Sequence, residues 1–176
     1  QGDAGSGFGT GGTADELGDV TVTGNEIYNV TASGVYVVDS GTWLSGSPDV
    51  TLDINNLTID NVDASSSPTA NGIEIDAGSD NLKAVEIADS SINSTDFGIN
   101  AKAMTGTNND VLNISNTSVT NSGTTAIKLS AADADVNING GSIDQATTGV
   151  KIDISTAAHT VDVDGVTING TTTGVD

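Results

Sequence analysis

Few side chains in this chain are equipped for chemistry. It holds one histidine, four lysines, no arginine and no cysteine against 24 acidic residues. Without cysteine there is no thiol nucleophile, no disulfide and no thiolate metal site. His159 sits in the segment Thr-Ala-Ala-His-Thr with no acidic triplet beside it. Carboxylates are plentiful, but hydrolysis by carboxylates needs two or three at set separations, and no such pair stands out. No catalytic residue is assigned. The metal ligands are also left open. The segment Gly9-Thr10-Gly11-Gly12-Thr13-Ala14-Asp15-Glu16 only vaguely echoes the Gly-Gly-x-Gly-x-Asp calcium repeat. Asp133 with Asp135, or Asp76 with Asp80, could bind Ca2+ weakly, and solvated loop acids are the simpler reading.

The elements that position these residues come from a repeat. Six rows share apolar-x-apolar, four residues, apolar, then a Gly-apolar or Ala-apolar pair. Their second apolar positions are Val22, Ile54, Ile87, Ile114, Ile138 and Val163, and the third follows five residues later in every row. Alternation of period two in Val and Ile is a strand signal, and no window keeps helical spacing over three turns. One row cannot bury its own apolar side chains, so rows must stack as a solenoid of three short strands per coil. The pairs after the second apolar position are Thr23-Gly24, Asn55-Asn56, Ala88-Asp89, Ser115-Asn116, Asn139-Gly140 and Asp164-Gly165. Gly, Asn and Asp visit positive φ at least cost, as a sharp corner requires. Stacked Asn side chains at such a corner can also bond along the axis.

These rows resemble the right-handed parallel β-helices of the pectin-lyase-like superfamily. The motif Ile-x-Asn-x-x-Ile…Gly-Ile-x-Ile is similar to the short β-helix repeat of secreted polysaccharide enzymes, adhesins and autotransporter passengers. The similarity covers roughly residues 20–176. It implies an all-β, right-handed parallel β-helix of about six to seven coils. Enzymes of that kind carry catalysis on an outward strand column: lyases use an Arg or Lys base beside carboxylate-held calcium, and hydrolases a paired Asp-Asp and a Gly-His-Gly. This chain has no arginine and neither hydrolase signature, which puts that activity in doubt and favours the adhesin or passenger type.

Outward columns can be read from the register. After each Gly-apolar pair the column runs Tyr36, Glu74, Asn100, Lys128, Lys151, Asp176, whose last three members read as a surface charge ladder. Before the third apolar position stand Glu26, Thr58, Ser91, Ser118, Ser142 and Thr167, a hydroxyl ladder of the kind that suits ice or a crystalline polysaccharide. The neighbouring column (Tyr28, Asp60, Asn93, Thr120, Asp144, Asn169) is irregular and partly charged, which weighs against ice. Two insertions, 39–49 and 60–71, project from the first coils, and insertions in solenoids often carry binding function. Trp43, in the first, can stack on a sugar ring or pack against the flank. Trp43, Tyr36 and Glu74 are the carbohydrate-contact candidates.

Composition narrows the partners. A formal charge of −20 offers no basic stripe to nucleic acid or to an anionic membrane, and no apolar run is long enough to span a bilayer. The chain starts at Gln1, as a processed secreted protein or a cut fragment would. Six N-x-S/T triplets are close to what this composition yields by chance. Residues 1–19 form a Gly-rich segment ahead of the β-helix of 20–176. Its Gly7-Phe8 pair stands at the same phase as Gly174-Val175. Neither end reads as capped, so we expect part of a longer rod, or copies stacking head to tail through Phe8, Val20 and Val22 on one face and Val161, Val163, Ile168 and Val175 on the other. The sequence thus reads as an extracellular, non-enzymatic structural or adhesive β-solenoid whose partner is itself or surface glycans. A carbohydrate-binding or polysaccharide-active β-helix is the alternative.

Overall fold

Short strands with one buried and one exposed face are stable only when neighbours supply both the hydrogen bonds and the opposite wall of the core. The computed structural model of the chain describes residues 6–10, 20–38, 50–62, 70–77, 82–93, 96–130, 132–154 and 159–176. Trp43, Asp80, the 39–49 insertion and the 63–69 part of the second insertion lie outside the described residues.

The first six strands are β1 (Ser6–Thr10), β2 (Val20–Thr23), β3 (Glu26–Tyr28), β4 (Ser33–Val38), β5 (Val50–Asn55) and β6 (Thr58–Asp60). Next come β7 (Asn71–Ala77), β8 (Leu82–Ala88), β9 (Ser91–Asn93), β10 (Phe97–Ser115), β11 (Ser118–Thr120) and β12 (Thr125–Ser130). The last are β13 (Ala132–Asn139), β14 (Ser142–Asp144), β15 (Thr148–Asp153), β16 (Val161–Asp164), β17 (Thr167–Asn169) and β18 (Thr173–Val175). The described residues contain no helix.

Every strand pairs in parallel with its copy in the next coil, which makes a parallel β-helix of about six coils with three strands per coil. The first ladder is β2-β5-β8-β10-β13-β16, the second β3-β6-β9-β11-β14-β17, and the third β1-β4-β7-β10-β12-β15-β18. The repeat predicts separate strands in every row, and one place differs: β10 runs unbroken through positions of the third ladder and then the first. Two register shifts, between Ala101 and Ala103 against β7 and between Thr105 and Asp110 against β13, absorb the extra chain.

The repeat's apolar positions fill one core along the axis. Ile54, Ile59, Ile73, Val85, Ile87, Ile92, Ile99 and Leu112 are all fully buried. At about 1.5–3 kcal/mol per buried side chain, this column is the main stabilising term. The second member of every corner pair adopts the left-handed conformation: Gly24, Asn56, Asp89, Asn116, Gly140 and Gly165 have φ between 47° (Asn116) and 67° (Gly140). The expected Asn side-chain ladder is not what holds this corner. Main-chain bonds do, from Gly24 N to Asn55 O and onward to Gly140 N with Asp164 O, each near 3 Å. The axial Asn bonds occur elsewhere, as Asn61 to Asn29 (2.6 Å) and Asn137 to Asn113 (2.9 Å).

A second left-handed corner follows the short strands of the second ladder, at Asn29, Asn61, Asn121, Gln145 and Gly170. Between the corners, buried Ser90 and Thr117 return their hydroxyls to the main chain at Ala88 O and Ser115 O. That satisfies polar groups where other coils place Leu57 or Val166.

Candidate functional site

Three surfaces of the solenoid carry groups not consumed by the repeat. On the third ladder, Tyr36, Glu74, Asn100, Lys128 and Lys151 stack in register, as the alternation predicts. Asp176 completes the column, accepting from Lys151 Nζ at 2.9 Å. Lys128 lies 5.1 Å over the Phe97 ring. The column is not uniformly exposed, however. Glu74 and Asn100 are 7% and 2% exposed.

The Glu74 carboxylate gathers its neighbours. Oε2 accepts from Ser33 Oγ and from Asn71 Nδ2, each at 2.7 Å. Oε1 pairs with Lys102. Asn71 Oδ1 in turn accepts from Asn100 Nδ2 at 3.2 Å, which orients that amide and leaves Asn100 Oδ1 buried without a partner. Burial opposes charge on Lys102, but the bond and charge of Glu74, with Asp76 and Tyr36 nearby, hold its pKa above the ordinary 10.5. Tyr36, partly buried above this group, has its phenol raised by burial and by Asp76 and Glu74, against the opposing pull of Lys102. A carboxylate so engaged, facing a lysine that stays charged, is a structural anchor: neither group is held as a free base or nucleophile. Lys102 was not among the sequence candidates. It occupies the register shift between Ala101 and Ala103, where simple alternation gives no guidance.

The second surface is the open face of the last coil. Val161, Val163, Val166 and Ile168 are only partly buried, and Val175 is 52% exposed, whereas their equivalents Val136, Ile138, Ile143 and Val150 are sealed. At the other end Val22 is buried, while Phe8 and Val20 are placed as strand positions in β1 and β2.

The third surface lies on the second ladder. A groove of about 440 Å3 runs across β6, β9, β11 and β14, with Asp60, Asn93, Thr120 and Asp144 among its walls. Its side chains are linked in one direction: Thr120 Oγ1 and Asn121 Nδ2 donate to Asn93 Oδ1 (3.1 and 2.6 Å), and Asn93 Nδ2 donates to Asp60 Oδ1 (2.6 Å).

Of the calcium candidates, Asp80 and the side chain of Asp133 lie outside what the structure describes. Asp135 bonds Thr160 N and Oγ1 at 2.8 and 3.0 Å, bonds that hold its carboxyl below the ordinary range, and lies 3.8 Å from His159 Nδ1. Among the described residues no group of three or more His, Asp or Glu could hold a metal ion. No family model, curated protein or solved structure matches the chain.

Proposed function

We propose that the chain is a non-enzymatic, extracellular structural or adhesive β-solenoid that forms a rod, either by seating a second copy on the coil of β16, β17 and β18 or through further coils of the same chain. The observation that carries this reading is the half-exposed apolar row Val161, Val163, Val166, Ile168 and Val175, bounded by the outer edges of β16, β17 and β18. An exposed edge of three in-register strands is a template for strand addition. The best-matched occupant is another coil of the same repeat, because only that offers apolar residues at the same spacing on all three ladders.

The strand count defines the junction. The third ladder has seven strands and the other two have six each. A flush contact places β2, β3 and β4 of the second copy on β16, β17 and β18. That copy's β1 already lies against its β4, in the place β18 would take. Flush stacking therefore requires β1 to leave that edge, a strand exchange in which β18 replaces it. Negative-stain imaging and sedimentation velocity of the purified chain test the reading. Rods of uniform width that lengthen with concentration support it, and monomers persisting at high concentration overturn it.

A further inference from the structure

The groove on the second ladder is a lateral surface, so it stays open in a rod. One straight line of residues crosses it. Tyr28, Asp60, Asn93, Thr120 and Asp144 occupy the same position on successive strands. With about 4.8 Å per strand, Asp60 and Asp144 stand roughly 14 Å apart, and Tyr28 lies one step beyond Asp60. Tyr28 is 48% exposed and, with Val175, one of two large hydrophobic side chains so exposed among the described residues.

The hydrogen-bond direction sets the ligand's chemistry. One hydrogen each from Thr120 Oγ1 and Asn121 Nδ2 goes to Asn93 Oδ1, and one from Asn93 Nδ2 to Asp60 Oδ1. The charge that remains on the groove is negative only: one oxygen of Asp60 and the carboxylate of Asp144 stand among the neutral Thr58, Ser91, Asn121 and Gln145. Lys102, Lys128 and Lys151 lie on or beside the third ladder and Lys83 belongs to β8 of the first, so the strands that carry these acids carry no lysine. A ligand must bring donors and positive charge, in an extended form, with a face that can lie on an aromatic ring. An anionic polysaccharide fails on charge, and a neutral one leaves the two carboxylates unanswered.

We propose that this groove binds a cationic amino-sugar chain, its ammonium groups on Asp60 and Asp144 and one sugar face on Tyr28. Each hydroxyl-bearing ring advances by about one coil, so successive rings meet Asn93 and Thr120 in turn.

The test is calorimetric titration near 0.15 M salt, in mildly acidic buffer that keeps the amino groups charged, with three probes: a β-1,4-linked glucosamine pentamer, one ring for each position from Tyr28 to Asp144, its N-acetylated counterpart and spermine. The glucosamine pentamer is expected to bind, and the other two at least about tenfold more weakly. Asp60→Asn with Asp144→Asn should weaken it by about tenfold or more, as should Tyr28→Ala, while Tyr28→Phe retains it. Asp53→Asn with Asp162→Asn removes the same charge from the first ladder and should leave affinity within about twofold. Equal loss in that control shows attraction to net charge alone and overturns the site. Equal binding of the N-acetylated pentamer, or of spermine, overturns the ligand. Circular dichroism confirms that each variant is folded. Because these readouts need no assembly, they are independent of rod formation.

Discussion

Substituting alanine along the glycine column separates the packing inside the solenoid from the packing proposed between copies. Gly34, Gly72, Gly98 and Gly149 share one column with Ala126 and Gly174. A Cβ built on Gly72 falls 2.3 Å from Ile92 Cγ2 and 2.6 Å from Gly98 O. Carbon atoms rest at about 3.5–4.0 Å, so the overlap exceeds 1 Å. Ile92 is fully buried, and Gly98 O belongs to the main chain of the next coil, so neither yields freely. Overpacking of this kind costs about 1–3 kcal/mol, offset by about 0.4–1 kcal/mol because alanine restricts the unfolded chain. Ala126, fully buried in the same column, shows that a coil can adapt to one methyl group, which places the expected net loss for Gly72→Ala near the middle of that range, about 1–2 kcal/mol. Gly174 is the control: a Cβ there meets nothing within 4 Å, so Gly174→Ala should be neutral or slightly stabilising. Urea unfolding measures both, and equal midpoints would refute the packing argument. The same variant then tests the junction. In a flush rod the Gly174 position meets Ile27 and Gly34 O of the second copy, as Gly149 meets Ile168 Cγ2 at 3.0 Å and Gly174 O at 2.5 Å. Gly174→Ala should therefore leave the monomer intact and weaken stacking by about tenfold or more. Rods that form unchanged from this variant exclude the flush junction.

Glu74→Ala should lower stability by about 2–3 kcal/mol in urea titration, since it strands Ser33, Asn71 and Lys102 together; a loss below that of an exposed acid such as Asp53→Ala counts against the anchor. Lys102 has a raised pKa in the fold, so its stabilisation is full below 10.5 and lost as pH climbs through the raised value; Tyr36, raised above 10.0, acts with the same sign. Unfolding midpoints between pH 8 and 11.5 should fall above pH 10, and fall less steeply in Glu74→Gln. The effect is modest because the Lys102 head is partly solvated. At the first corner, Asn116 with φ of 47° should accept Gly within about 0.5 kcal/mol but lose about 1–2 kcal/mol as Val, because a branched Cβ is strained there; equal thermal midpoints for the two variants would contradict that.

Much of the fold was legible because each requirement is local. The αL corner needs Gly, Asn or Asp at one position, and Gly24, Asn56, Asp89, Asn116, Gly140 and Gly165 all supply it. The second corner escaped because its residues vary more, with Gln145 and Gly170 beside Asn29, Asn61 and Asn121. An Asn two residues beyond the third apolar position was the signal available. Parity placed Glu74 and Asn100 on the outer face, and that is correct for the strand. Parity cannot say that Lys102, Asn71 and Ser33 converge over the carboxylate, since that depends on a register shift and a strand-entry bend. The groove column was read as irregular, and the irregularity is its content: Asp60 and Asp144 bracket neutral Asn93 and Thr120, where a uniform hydroxyl ladder would present no charge.

A solenoid of this composition faces one conflict along its whole length. Stacking copies of one row places like residues against like, which suits Ile over Ile in the core but sets acid against acid outside. The chain meets this differently on each face. On the first ladder Asp53 abuts Glu86, and the next outward positions are the neutral Asn113 and Asn137, bonded in series to Glu86. On the third, Lys102 and Lys151 answer Glu74 and Asp176. On the second, amides and a hydroxyl separate Asp60 from Asp144, and the strands of that ladder carry no lysine. The second face is therefore where the acids keep unspent acceptor capacity beside an exposed aromatic ring. Among the described residues, the coil of β16, β17 and β18 is where apolar surface stays half-exposed. A partner adds most where the molecule's own repeat has left the interaction unmade, which is why the proposed recognition lies on the side of the solenoid and the proposed stacking on the coil of β16, β17 and β18.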